Sequence, residues 1–245
     1  MKLIFALIAQ FCVICSYSFL FPFNGERSFT VLRKSAFVNT EISDSKSFES
    51  LDHLKTSFLK LTVSSNRGIN SSEKQRETIM ELIDKLEEIN PNKEPNVGLK
   101  EGVSPLEGSW KLIYSNSPDI LSLSLVPGIL IGEIYQNIYG MREEIDNVVE
   151  IQSILAPFIP STKAKFIVNV KGNVSTAKRI NLSFDKQKFV PETFFGKEMA
   201  GVFNPIELDI PLPFRNVGWL DHTFVDEDLR IGRSFQNIFV LLKAD

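Results

Sequence analysis

Cysteine is almost missing from this chain of 245 residues: there are two, Cys12 and Cys15, both inside the first apolar run. Their C-x-x-C spacing has no second ligand pair to complete a zinc site. Removal of the N-terminal segment would leave no thiol at all, which excludes disulfides, thiolate nucleophiles and cysteine metal ligands together. Histidine is as scarce, with only His53 and His222. His222 lies beside Asp221, but consecutive residues of a strand point to opposite faces, so the pair does not converge on one substrate. An excess of positive charge is absent as well. The net charge of −3 gives no reason to expect nucleic-acid binding. With 23% charged residues, the chain is too polar for a multi-span membrane protein. No G-x-S-x-G turn, phosphate-cradling glycine loop, H-E-x-x-H pair or dinucleotide fingerprint occurs. Asp226-Glu227-Asp228 lacks the spaced ligands of a calcium loop and reads as a turn. The expectation is therefore no catalytic residue, no metal and no cofactor.

The conspicuous surplus is phenylalanine, twenty residues against four Tyr and two Trp. Phe adds apolar area without a hydrogen-bonding handle, which suits a large apolar interior or an apolar contact surface. Lys2, the apolar stretch Leu3–Cys15 and Ser16-Tyr17-Ser18 have the form of a signal peptide over residues 1–18. Residues 19–50 follow with many hydroxyls, scattered bases (Arg27, Arg33, Lys34) and no apolar period. That composition is transit-peptide-like, and the two together form a bipartite address to a complex plastid; a tail of a secreted protein is the competing reading.

Two helical periods form a lead-in over residues 51–90. Leu51, Leu54, Phe58 and Leu61 define the first, and Ile79, Leu82, Ile83, Leu86 and Ile89 the second. Ser72 with Gln75 predicts a capping box, and Asn90-Pro91 ends the second helix. Residues 91–105, rich in Pro, Asn and Gly, read as a linker.

The period then changes to two over residues 106–245. Trp110, Leu112 and Tyr114 alternate with polar neighbours, as do Phe166 and Val168, Leu182 and Phe184, and Ile206, Leu208 and Ile210. Further strands are expected near 132–139, 145–154, 229–233 and 236–243. About eight strands with no interleaved helices predict a mainly β, α+β fold: an antiparallel barrel with a helical lead-in sharing its core. Candidate interior, ligand-contacting residues are Trp110, Leu112, Tyr114, Phe166, Val168, Leu182 and Phe184. Two apolar loops, 118–132 and 189–203, are candidate lipid-docking segments through Leu125, Ile129, Phe194 and Phe195, or else plugs for the barrel ends.

Leu106-Glu107-Gly108-Ser109-Trp110-Lys111-Leu112-Ile113-Tyr114-Ser115 resembles the domain opening of the plastid lipid-associated proteins, the fibrillins. The stretch Thr223–Arg233 with Phe239-Val240-Leu241 resembles their closing segment, and Glu88-Ile89-Asn90-Pro91 their lead-in. Gly108-x-Trp110 is also similar to the lipocalin opening, where a late-strand Arg packs on the Trp. By that likeness Arg230 or Arg233 closes on Trp110, a cation–π contact of about 0.5–2 kcal/mol. The resemblance implies a lipocalin-like, non-catalytic plastid protein at plastoglobules or thylakoids. It would bind prenylquinones, carotenoids or acyl lipids, or coat a lipid surface, with plastid proteins as further partners. An isomerase or cyclase of an apolar substrate, with His222 or a carboxylate as base, and a scaffold recruiting plastid enzymes are the alternatives.

Overall fold

The computed structural model describes residues 50–123, 125, 128–153, 162–199, 201–202, 204–210 and 218–244. The two address segments lie outside them, apart from Ser50. Two helices come first, α1 (Leu51–Thr62) and α2 (Glu73–Glu88). Ser50 caps α1 by accepting from the His53 amide, and the capping box of Ser72 and Gln75 opens α2. There follow β1 (Gly108–Ser115), α3 (Pro118–Leu123), β2 (Ile129–Tyr139), a 3₁₀ turn (Gly140–Arg142), β3 (Glu144–Ser153), β4 (Thr162–Val174) and β5 (Arg179–Phe194). The chain ends with β6 (Lys197–Glu198), β7 (Ile206–Asp209), β8 (Gly218–Val225), β9 (Leu229–Ser234) and β10 (Asn237–Lys243).

Eight strands close a ring in the order β4-β3-β2-β1-β10-β9-β8-β5, with β5 returning to β4. Every pairing is antiparallel, so the fold is the closed lipocalin-like barrel. The short strands β6 and β7 attach only to the outer side of β5.

Instead of one shared core there are two apolar clusters with the barrel wall between them. The interior cluster includes Trp110, Leu112, Ile134, Ile138, Phe166, Val168, Val170, Phe184 and Leu241. The outer cluster joins Leu54, Phe58, Ile79, Leu82, Ile83 and Leu86 of the helices to Phe224, Leu229, Ile231, Ile238 and Val240 of the wall. Tyr114 belongs to this second cluster, and its ring meets Phe58 edge-on at 6.3 Å. The expectation that Tyr114 lines the interior is thereby corrected. The register of β1 shifts between Leu112 and Tyr114, and one extra residue in a strand moves the next side chain to the other face.

Both ends of the ring are stoppered. At one end the segment 91–107, of which 91–105 is expected as a linker and Leu106 as the start of the barrel, inserts Leu99 and Leu106 into the interior cluster. Its fit is tight: a Cβ on Gly140 would lie 2.0 Å from the Leu99 carbonyl oxygen, so only glycine is accommodated there. At the other end α3 inserts Ile120 and Leu123, joined by Ile210 after β7. The apolar loop over 118–132 is thus half plug.

Polar contacts fasten the helices to the wall. Arg233 donates to Glu87 at 2.7 and 2.8 Å and to Asp84 at 2.8 Å, and Lys55 reaches Asp226 at 2.9 Å and also Asp228. Asn90, buried at the end of α2, donates to the Thr223 carbonyl at 2.7 Å and accepts from the Val225 amide at 3.2 Å. Asn90→Ala leaves both backbone groups unpaired and should cost about 2 kcal/mol. The expected outcome in a thermal melt is a Tm lower by about 4–8 °C, while Asn92→Ala, in the exposed turn beyond, leaves it nearly unchanged.

Candidate functional site

The chemistry of the interior is concentrated beside the 91–107 plug. Trp110 points inward from β1 and is fully buried, its indole Nε1 donating to the Leu106 carbonyl at 2.9 Å. The Arg230 guanidinium, from β9, lies 5.0 Å from the centre of that ring and is itself fully buried. Lys243 approaches the same ring at 4.5 Å and donates to the Glu107 carbonyl. Arg233 takes no part, since residues three apart on a strand face opposite ways and it faces α2.

No carboxylate pairs with Arg230 among the described residues. Its NH2 donates to Gln136 Oε1 at 2.7 Å, its NH1 faces His222 Nε2 at 3.3 Å, and its Nε has no partner. Burial lowers its pKa to about 9. A guanidinium can only donate, so His222 Nε2 must accept. The ring proton then sits on Nδ1 and is donated to Asn96 Oδ1 at 3.1 Å, while Asn96 Nδ2 donates to the Thr176 carbonyl at 2.8 Å. Burial, and then the charge of Arg230, hold the His222 pKa well below 6.5. Both ring nitrogens are engaged, and neither is presented to a substrate.

The other candidates divide by face. Leu112, Phe166, Val168 and Phe184 are packed in the interior, with Leu182 partly buried against them. Ile129, expected on a docking surface, also packs inward, whereas its neighbour Leu130 is 51% exposed. The alternation along β2 accounts for the exchange. Leu125 is 77% exposed, and Phe194 and Phe195 are 39% and 47% exposed. The stretch 189–203, expected as a loop, instead continues β5 to Phe194 and turns into β6; Phe203 lies outside the described residues.

Asn96, Gln136 and Lys243 were not singled out from sequence. Gln136 alone carried a signal, as a polar residue between Ile134 and Ile138 on an inward stripe. Between the plug and the wall, next to Leu99, Ile138, Ile145 and Ile180, the void measures about 10 Å³. A larger concavity of about 780 Å³ is lined by polar side chains including Arg142, Lys171, Asn173, Asn181 and Ser183. Among the described residues no group of three or more His, Cys, Asp or Glu is arranged to hold a metal ion, and no helix is long and apolar enough to cross a membrane.

The state of His222 has a consequence for stability. Unfolded, an imidazole takes a proton below about pH 6.5; folded, His222 stays neutral well below that. The unfolded chain therefore binds more protons in this range, and stability falls with pH by up to about 1.4 kcal/mol per unit. In urea melts at pH 7, 6 and 5, His222→Gln, which retains an acceptor for Arg230, should flatten that decline.

The profile of the PAP_fibrillin family matches residues 52–242. A probable plastid-lipid-associated protein 3, chloroplastic, of Oryza sativa subsp. japonica is 28% identical over 78% of this chain and 59% of its own length, so the chain spans well under two thirds of that relative. A plastid-lipid-associated protein, chloroplastic, of Citrus unshiu is 26% identical over 85% of this chain and 73% of its own. Plastid lipid-associated protein 1, chloroplastic, of Brassica campestris is 28% identical over 81% and 69%. No solved structure matches. With its lead-in helices, barrel and closing strands all inside the matched range, the chain belongs to the PAP_fibrillin family.

Proposed function

We propose that this protein is a non-catalytic, lipid-associated protein of the plastid that works at the surface of plastoglobules or thylakoids, with its barrel as a rigid scaffold. The observation that carries the reading is the filling of the ring. Among the described residues Trp110, Leu112, Phe166, Val168 and Phe184 form one buried cluster with Leu99 and Leu106 of the plug and Ile120 and Leu123 of α3, and the void beside Leu99, Ile138, Ile145 and Ile180 measures about 10 Å³. A pocket for a compact organic ligand needs roughly 300–1,000 Å³, and a prenylquinone or carotenoid is no smaller. The names of the relatives favour a plastid location and lipid association. The engagement of both His222 nitrogens argues against a general base there. Prenylquinones, carotenoids and acyl lipids are on this reading components of the surface the protein meets, not cargo enclosed in the ring.

Native mass spectrometry and flotation on the protein isolated from its own cells test this. The expected result is an apo mass together with flotation on lipid. A stoichiometric quinone, carotenoid or acyl chain retained in the folded protein would make it a carrier and overturn the scaffold reading.

A further inference from the structure

Beyond its pairing with β8, β5 stays paired with β4 and runs on as an arm to the rim of the ring. Its first residues, Arg179–Leu182, pair with β8, but Lys186–Phe189 pair with β7 and Thr193-Phe194 with β6. On its other side β4 accompanies it as far as Lys163 opposite Thr193. The arm ends in a two-residue turn, Phe195-Gly196, closed by Phe194 opposite Lys197. Both turn residues are left-handed, with φ of 49° and 75°. That is the hairpin turn in which Asn-Gly or Asp-Gly is favoured, because a side chain such as Phe is strained there.

Strain of this kind persists where something requires it. Phe195 is 47% exposed, and its ring contact is with Phe194, also exposed, at 4.4 Å and edge-on. The other left-handed phenylalanine, Phe235 with φ 52°, packs its ring against Trp219 at 5.5 Å. Phe195 has no such partner in the body of the barrel among the described residues.

We infer that the β5–β6 tip, Phe194 and Phe195 with Lys163 and Lys197 at its base, is the element that enters a lipid surface bearing anionic headgroups. Lys163 and Lys197 are exposed, and among the described residues no acid pairs with either. Their stems let the ammonium groups stay at headgroup level while the two rings go deeper. Of the carboxylates nearby, Glu198 lies opposite Thr193 and Glu192 is paired with Lys165 at 2.7 Å. A second copy of the chain is a poorer occupant. The free edges are β6 and β7, of two and four residues, and they carry Lys197, Glu198, Glu207 and Asp209, which discourages strand-to-strand pairing.

The inference rests on the surface reading above, and flotation with phosphatidylcholine vesicles, with and without phosphatidylglycerol, separates the two. Wild-type protein should float, and more so with phosphatidylglycerol. F194S/F195S should float at least about tenfold less, and K163Q/K197Q should lose only the increment due to phosphatidylglycerol. F195N provides the check that does not depend on lost folding. Asn is at ease in the left-handed region, so this variant should melt about 2–4 °C higher and yet float less.

Folded F194S/F195S protein that floats like wild type overturns the assignment of the tip and leaves the surface reading standing. Wild-type protein that never floats overturns both. A concentration-dependent dimer that F194S/F195S dissolves, with flotation unchanged, assigns the tip to a second copy and overturns the lipid assignment.

Discussion

The constraint on which this architecture depends is that β1, β8, β9 and β10 must bury both faces. Inward they meet the ring's own core, and outward they meet α1 and α2. A strand with one wet face tolerates any polar residue at alternate positions; these strands do not. The closing strand, from Leu229 to Gly232, is buried at four successive residues, Leu229 and Ile231 toward the helices and Arg230 and Gly232 toward the interior. Where the two periods conflict, the wall changes register, between Leu112 and Tyr114 in β1 and between His222 and Phe224 in β8. The second shift lets Thr223 reach Glu87 at 2.6 Å and Phe224 reach the helices, while Val225 returns inward.

Within that wall a guanidinium without a paired carboxylate is an expensive choice, because taking a charge out of water costs several kcal/mol even after relaxation. Three neutral partners offset part of it: the Trp110 face, the Gln136 carbonyl oxygen and the lone pair of His222. Each is in turn oriented by a neighbour. Gln136 donates to Asn147 at 2.8 Å, His222 donates to Asn96, and Asn96 is held by the backbone of the β4–β5 turn. The chain of dipoles thus links the plug, five strands (β1, β2, β3, β8 and β9) and the β4–β5 turn, and it specifies where the plug sits more than it stabilises the fold. Such a cluster is polar and buried, yet both nitrogens of His222 and both terminal nitrogens of Arg230 are already engaged within it.

Legibility in the sequence followed periodicity. The two helices, their capping box and most of the strands were readable because a long amphipathic pattern repeats its evidence several times over. Tyr114 was assigned to the wrong face because a bulge is one residue long and leaves no trace in an alternating string. Ile129 and Leu130 exchanged roles for a similar reason, since an unbroken apolar run such as Ile129-Leu130-Ile131 has no phase. Residues 91–105 looked like a linker by composition. Leu99 within them and Leu106 just after them make the segment a plug, and nothing local distinguishes a buried leucine from an exposed one. Arg230 was found through likeness to the lipocalin opening, and alternation then separates it from Arg233. Gln136 and Asn96 become partners only after the ring closes, so their meeting is a property of topology, not of any segment.

The same physics separates the two ends of the chain's apolar surplus. Inside, the described aromatic and branched residues pack into one buried cluster, and the hydrogen bonds of Asn96 and His222 hold the 91–107 segment in place. Opening the plug end to a lipid tail would mean moving Leu99 and Leu106 and unpairing buried polar groups. At the tip of the arm the reverse holds: two phenylalanines are exposed, one of them in a conformation that its side chain disfavours. A sequence under selection for stability alone would have relaxed Phe195 with a single change to Asn or Gly, at the cost of its ring contact with Phe194. Retaining the strained residue makes sense if the tip's partner lies outside the molecule, where its exposed apolar surface can be covered.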